Sequence, residues 1–427
     1  MSRHPAHNWL PWGLASLLAL ICWQPAQAQQ RFSNLVGPVQ IAPVKQQSPL
    51  EVPYITWGGD VATFLANGGL TTAQGSIYQQ LGLNLKLVPG DDFVEQVRRY
   101  LRGDSPFLRG TMRMIGMASE VIGSNSGTKP VVFLQLTWSR GDHCVAREGV
   151  KTLNDLKGKK FVLQQGGPHV GMLDDMLSSA KLRWNDITVA WTDDLTGDNG
   201  PAAKFRADNS IDCCMVISPD MIGLTGGLDA AGTGAEGTVR GAHVLLSTAT
   251  LTRSIADVYA CRKDYYDSHR AEVDKFVAGY LRGCEELLVQ KKVYEERGAA
   301  AAAPYMKTLT MAQQIYGKEV LPLLEVDAHG LVSDCAFVGL PGNASFFLDR
   351  GNLNGFEAKQ QAALNLAVNQ GYAGVRAGFF PPGIDYANIK KLGNLKQELT
   401  SGGAEIDFGF EGLDKIEDKD TLLSFTI

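Results

Sequence analysis

The chain predicts an α/β fold of two lobes, with mainly parallel sheets flanked by helices. Three observations carry this. Short apolar strands alternate with amphipathic helices from residue 51 to about residue 247. Strand ends repeatedly run into small-residue turns that open a helix, as at Gly58-Gly59-Asp60, Gly166-Gly167-Pro168 and Ser218-Pro219-Asp220. The pattern also changes at Thr137–Asp142 and again near Ser247–Ser254, as expected of a chain that leaves one lobe and later returns.

Val52 to Trp57 reads as the first strand, followed by a helix from Val61 to Ala66. Leu83 to Val88 alternates as a strand, and either Asp91 or Asp92 caps the next helix, where Phe93, Val94, Val97, Tyr100 and Leu101 recur at helical spacing. Gly103 to Thr111 reads as a loop before an apolar run at Met112 to Ala118, and Val131 to Leu136 as a buried strand. In the inserted region, strands are expected at Phe161 to Gln165, Ile187 to Trp191 and Cys213 to Ile217, with helices at Val170 to Ala180 and Pro201 to Ala207. Ser218 followed by Pro219 at the first helical position is a helix start. Gly223 to Gly241 is loop-like, and Val244 to Ser247 closes this region. Long helices follow: Tyr265 to Val289, then an Ala-rich run ending at Pro304. Residues 328–355 are Gly- and Asn-rich, and Phe356 to Val368 returns to helix.

The first residues have the form of an export leader. Arg3 precedes the apolar stretch Leu14 to Ile21, and Ala26-Gln27-Ala28 fits a small-x-small cleavage site. Cleavage after Ala28 is expected, giving an exported protein. With 40 basic and 45 acidic residues the net charge is -5, and no basic block supports nucleic-acid or anionic-membrane binding. Of seven cysteines, Cys22 falls in the leader. The other six are compatible with disulfides or with buried thiols, and none has metal-site or redox spacing. No cofactor and no catalytic or metal-ligating set is expected.

Candidate ligand-binding residues lie at strand ends, where open α/β sheets receive ligands. Thr56, Trp57, Gly58, Gly59 and Asp60 follow the first strand, where Trp57 either walls in a ligand or packs in the core. Gly166, Gly167 and His169 hold the analogous place in the inserted region, and Ser218 and Asp220 a third. Arg109 is a candidate partner for a carboxylate, sulfonate or phosphate, with Thr111 beside it. Ser139 lies at the crossing. The pair Asp91-Asp92 is read as a helix cap in preference to a cation site.

The runs KTLNDLKGKKFVLQQGGPHVGMLDDML and DITVAWTD, the strand ending in Ser218-Pro219-Asp220, and SIADVYACRKDYYDSHRAEVDKFVAGYLRGCEEL resemble solute-binding proteins of ABC importers. The resemblance is to the group that includes nitrate-, alkanesulfonate- and taurine-binding proteins and the thiamine-precursor (THI5-like) proteins, and it covers roughly residues 51–300. It implies a type II periplasmic-binding-protein fold with a ligand cleft between lobes. The implied organisation is a leader at 1–28, a flexible lead-in at 29–50, lobe one from 51–138 plus 248–327, an inserted lobe two at 139–247, and an extension at 328–427 packing on lobe one. It also implies a periplasmic monomer that captures a small polar or anionic solute and delivers it to an ABC permease, without chemistry. A sensor input or envelope scaffold built on the same fold is the alternative, followed by a thiamine-precursor-type enzyme.

Overall fold

The computed structural model describes residues 30–251 and 253–399, with a short strand at 407–408. The expected leader lies outside the described residues. The strands are β1 (Leu50–Tyr54), β2 (Leu85–Pro89), β3 (Phe107–Thr111), β4 (Pro130–Ser139), β5 (Asp142–Ala146), β6 (Lys160–Gln164), β7 (Thr188–Thr192), β8 (Cys213–Ile217), β9 (His243–Ser247), β10 (Ala256–Arg262), β11 (Cys335–Val338) and β12 (Asp407–Phe408). β1 and β2 form a parallel pair. One five-stranded sheet has the order β12-β11-β4-β10-β3, and the other has the order β7-β6-β8-β5-β9.

The two-lobed α/β class is found, but the pairing is more antiparallel than expected. β10 runs antiparallel to both β3 and β4, and β5 runs antiparallel to both β8 and β9. The reason is the double crossing. β5 follows β4 across a two-residue connection, and β10 is the return strand, so each enters its sheet against the neighbouring strands. Neither was legible as a strand of this kind. Both are wholly buried, so the solvent-facing alternation that marks a half-exposed strand is missing.

Three further expectations change. The segment read as a loop before Met112 is the buried strand β3, and the Met112–Ile122 helix starts directly after it. Pro304 does not end a helix; it lies in the first turn of the Ala303–Tyr316 helix, where its missing N–H costs nothing. Residues 30–50 are not a loose lead-in. Phe32 is buried against Phe93 and Tyr372, and the Arg98 guanidinium holds the carbonyls of Leu35 and Val36 at 2.7 and 2.9 Å. The six cysteines within the described residues are all buried and unpaired.

The chain after residue 328 is built into the first sheet. β11 pairs with the end of β4, matching Cys335 to Ser139 and Phe337 to Thr137. Asn343 then clips β4, accepting from the Gln135 N–H at 2.9 Å and donating to its carbonyl at 3.0 Å. The Phe356–Asn369 helix lies so close along the Met112–Ile122 helix that a methyl on Gly116 would meet the Ala363 methyl at 2.6 Å. One apolar cluster fills the first lobe around Phe133, Tyr259 and Phe276. A second runs without a break from Leu108 and Met112 through Leu163 and Met172 to Phe356.

Beneath the strand ends of the first lobe lies a wholly buried charge cluster. Arg109 on β3 places Nη2 2.8 Å from Asp60 Oδ2 and Nη1 3.0 Å from Asp257 Oδ1 on β10. Thr137 on β4 donates to Asp257 at 2.8 Å and accepts from the Trp57 indole N–H at 3.2 Å. One cation faces two carboxyl groups, so burial pushes Asp60 up to about 7 despite the adjacent guanidinium. Removing the cation strands both acids in the core, and losing one partner of a buried pair costs about 3–5 kcal/mol. Arg109→Leu is therefore expected to lower unfolding free energy by that amount in urea titration at pH 8.

Candidate functional site

The C-terminal ends of two parallel strand pairs converge on one cavity. From the first lobe, β1 and β2 lead into Thr56 and into Asp91 and Asp92; from the second, β6 and β7 lead into Gly166 and into Asp193. The cavity measures ≈ 420 Å³, a size that suits a small organic solute. Leu35, Phe93 and Val94 supply its apolar wall. Gly166 adopts φ +68, which lets the chain turn sharply from β6 toward the His169–Ser179 helix.

The lining is acidic. Asp91, Asp92, Asp193 and Asp194 all border the space, and of the lining residues only Arg98 is basic. Arg98 is already committed to the Leu35 and Val36 carbonyls, with Nη1 3.3 Å from Glu95. Asp92 caps the Phe93–Leu101 helix by accepting from the Glu95 N–H at 2.9 Å. Asp91 is held differently, accepting from the Thr56 N–H at 2.7 Å and the Thr56 hydroxyl at 2.8 Å. Burial pushes the Asp91 carboxyl above its ordinary range, against the pull of those two hydrogen bonds. A positive group in the cavity would relieve that cost, whereas an anion would meet four carboxyl groups and, among the described lining residues, one arginine already held by the Leu35 and Val36 carbonyls.

Of the residues expected at a ligand, Thr56, Gly166 and Gly167 border this cavity. The others do not line it. Arg109, expected to bind an anion, is sealed in the core with Asp60. Thr111 caps the following helix by accepting from the Met114 N–H at 3.2 Å. Trp57 is a core ring, 5% exposed. Gly58 and Gly59 are packing positions, since a methyl on Gly58 would lie 2.8 Å from Cys335 Sγ and one on Gly59 3.0 Å from the Thr137 methyl. Ser139 donates to Asp142, whose other oxygen lies 2.6 Å from His169 Nε2. The Ser218 hydroxyl meets His143 Nε2 at 2.8 Å instead of capping its helix. Asp220 is largely buried, with one carboxyl oxygen unpartnered, and burial raises it to about 6.

The NMT1/THI5-like family model matches residues 73–291, just over half the chain. The chain belongs to the NMT1/THI5-like family. No curated protein matches it in sequence. Among solved structures, the alkanesulfonate-binding protein SsuA from Xanthomonas axonopodis pv. citri, bound to MOPS, superposes with a TM-score of 0.53 at 13% identity, covering 79% of this chain and 100% of that one. The periplasmic aliphatic sulphonate binding protein SsuA from Escherichia coli gives 0.52 at 14% identity, covering 80% and 94%. A ligand-binding component of an ABC-type import system from Staphylococcus aureus gives 0.52 at 11%, covering 83% and 100%. At these identities the likeness is one of fold.

Within this NMT1/THI5-like fold, sequence reading found the first-lobe and β6 strand ends but passed over Asp193 and Asp194 at the end of β7. The same strand-end rule applied to DITVAWTDD would have included them. The inner residues His143, Asp220 and Asp334 lie near the crossing, with Asp142 and His169 beside them. Burial lowers His143 to about 4 and raises Asp334 to about 6, the latter against the pull of the nearby Ser218 hydroxyl. Asp220 and Asp334 thus hold their protons to higher pH when folded than when unfolded. Their contribution to stability is present below the ordinary carboxyl range near pH 4, is lost as pH rises toward 6, and stays absent above. Asp334→Asn is expected to flatten the fall in urea midpoint between pH 4.5 and 7, and to be more stable than wild type at pH 8.

Proposed function

We propose that this protein binds a small polar solute in the cavity between its lobes, as the exported binding component of an ABC importer, without a chemical step. The observation that carries the reading is the convergence of the β1, β2, β6 and β7 ends on one ≈ 420 Å³ cavity with walls from both lobes. That is where sheets of this kind receive ligands. Family membership and the shared fold with import-system binding proteins support the same reading. The side-chain arrangement favours holding over cutting. Among the described residues no acid meets His143 Nδ1 of the Ser218–His143 pair, and a serine–histidine relay needs one to orient the ring.

The lining also revises the expected charge of the solute. Four aspartates and a committed arginine suit an amine-bearing or neutral polar compound better than a sulfonate or nitrate. The test is the melting temperature of ligand-stripped protein against amines, aminopyrimidines, amino acids, sulfonates and oxyanions. A ligand at 100 times its Kd adds about 2.7 kcal/mol, enough to raise the melting point by a few degrees. A rise with amine-bearing compounds is expected, and Asp91→Asn should weaken their binding about ten- to hundred-fold, the worth of one charge-assisted hydrogen bond. A rise with sulfonates alone would keep the binding role and overturn the charge assignment. No rise with any class would count against the binding role.

A further inference from the structure

The inner cleft, where Trp57, Gly58, His169 and Ser218 were expected to meet a ligand, is occupied by the chain itself. Residues 331–335 run between the two lobes at the crossing. On the first-lobe side they cover the end of β1 so closely that a methyl on Gly58 would lie 2.7 Å from the Leu331 carbonyl carbon. At the crossing, the Arg140 N–H donates to the Asp334 carbonyl at 2.8 Å. A methyl on Gly141 would fall 2.6 Å from the Asp334 carboxyl carbon. On the second-lobe side, the Ser218 hydroxyl lies near enough to the Asp334 carboxyl to favour its charged form. β11 then continues the segment as a partner of β4, beginning at Ser139.

The return connection is held from the same extension. Lys359 donates to the Arg253 carbonyl at 2.6 Å, and Gln370 reaches Asp174 on the second-lobe helix at 3.4 Å. Arg113, on the first-lobe helix beneath, pairs with Asp175 and lies 3.5 Å from Asp174. Behind these polar links the apolar cluster passes from Met112 through Met172 to Phe356 without a break. Hinge opening would break both crossing contacts and wet that cluster. Lobes joined by a small polar interface move freely, whereas an extensive apolar one holds them together.

We propose that the Leu331–Cys335 segment is an internal wedge: it takes the ligand's place in the inner cleft and holds the lobes in fixed relation. Ligand access is thereby confined to the outer cavity, which is already formed and fills without hinge closure. The wedge rests on contacts within the chain and stands whatever solute the outer cavity takes.

The test measures one distance across the lobes. Spin labels on Gln79→Cys and Asp198→Cys, both exposed, report it in the full chain carrying Cys22→Ser, because the other six thiols are buried. Double electron–electron resonance is expected to give one narrow distance in the otherwise wild-type protein. Gly58→Ala, which collides with Leu331, is expected to add a second, longer population. Gly330→Ala, whose methyl meets nothing within 4 Å, should match wild type. Two populations in the unperturbed protein would overturn the proposal, as would a folded Gly58→Ala with an unchanged distance. Should Gly58→Ala not fold, Gly141→Ala presses on the wedge at Asp334, and an unchanged distance there counts against it equally.

Discussion

The Arg109 guanidinium is the constraint from which the rest of the first lobe follows. It is buried without solvent contact, and its two carboxylate partners come from different elements: Asp60 opens the helix after β1, and Asp257 lies on β10. Through Thr137 the network also reaches β4 and the Trp57 ring. Four chain segments are thus held in register at the level of the inner cleft. A buried ion cluster of this kind is no gain over apolar packing, because desolvation offsets the attraction. What it does supply is direction, since a guanidinium fork satisfies its partners in few geometries. The cost is visible in Asp60, which burial raises to about 7 although it touches a cation.

That constraint explains why the strand ends diverge in role. Trp57, Gly58 and Asp60 follow β1 just as Gly166, Gly167 and His169 follow β6, and the rule that ligands bind at strand ends favours them all. The rule places strand ends correctly but says nothing of what else the chain brings there. Asp60 turns inward to Arg109, Trp57 turns with it, and Gly58 is then free to accept the backbone of residues 331–335. At the β1 end only Thr56, one residue earlier, borders the cavity, together with its partner Asp91, while Gly166 and Gly167 border it from β6.

The fold was legible where local pattern and tertiary role agree. Cys213–Ile217 and Pro201–Ala207 are found as expected, because an apolar run bounded by turns and a proline at a helix start need no distant information. β3, β5 and β10 were passed over because burial on both faces removes the period-two signal, and because an arginine or aspartate inside a strand reads as exposed until its partner is known. The site failed in a related way. Arg109 looked like an anion receptor because its sequence neighbours carry no counter-charge, and Asp60 and Asp257 become its neighbours only in the fold. In sequence either Asp91 or Asp92 serves as the helix cap, whereas in the fold hydrogen bonding divides them, Asp92 to the helix and Asp91 to Thr56.

The wedge and the acidic cavity bear on each other. A site that closes around its ligand spends part of the binding free energy on moving the lobes, and its affinity falls with the fraction of molecules already competent. A cavity held open and in shape by residues elsewhere in the chain avoids that loss. Preorganisation has its own cost, which falls on the empty state. Asp91 is buried, and the Thr56 hydrogen bonds together with the Arg109 charge do not offset its desolvation, so the unfilled cavity keeps an electrostatic cost that hinge opening would otherwise relieve by admitting water. The contacts at Gly58, Arg140 and Arg253 hold the lobes against that relief. Discrimination then comes from the empty cavity itself: a solute that supplies positive charge removes a cost already present, and one that supplies negative charge adds to it.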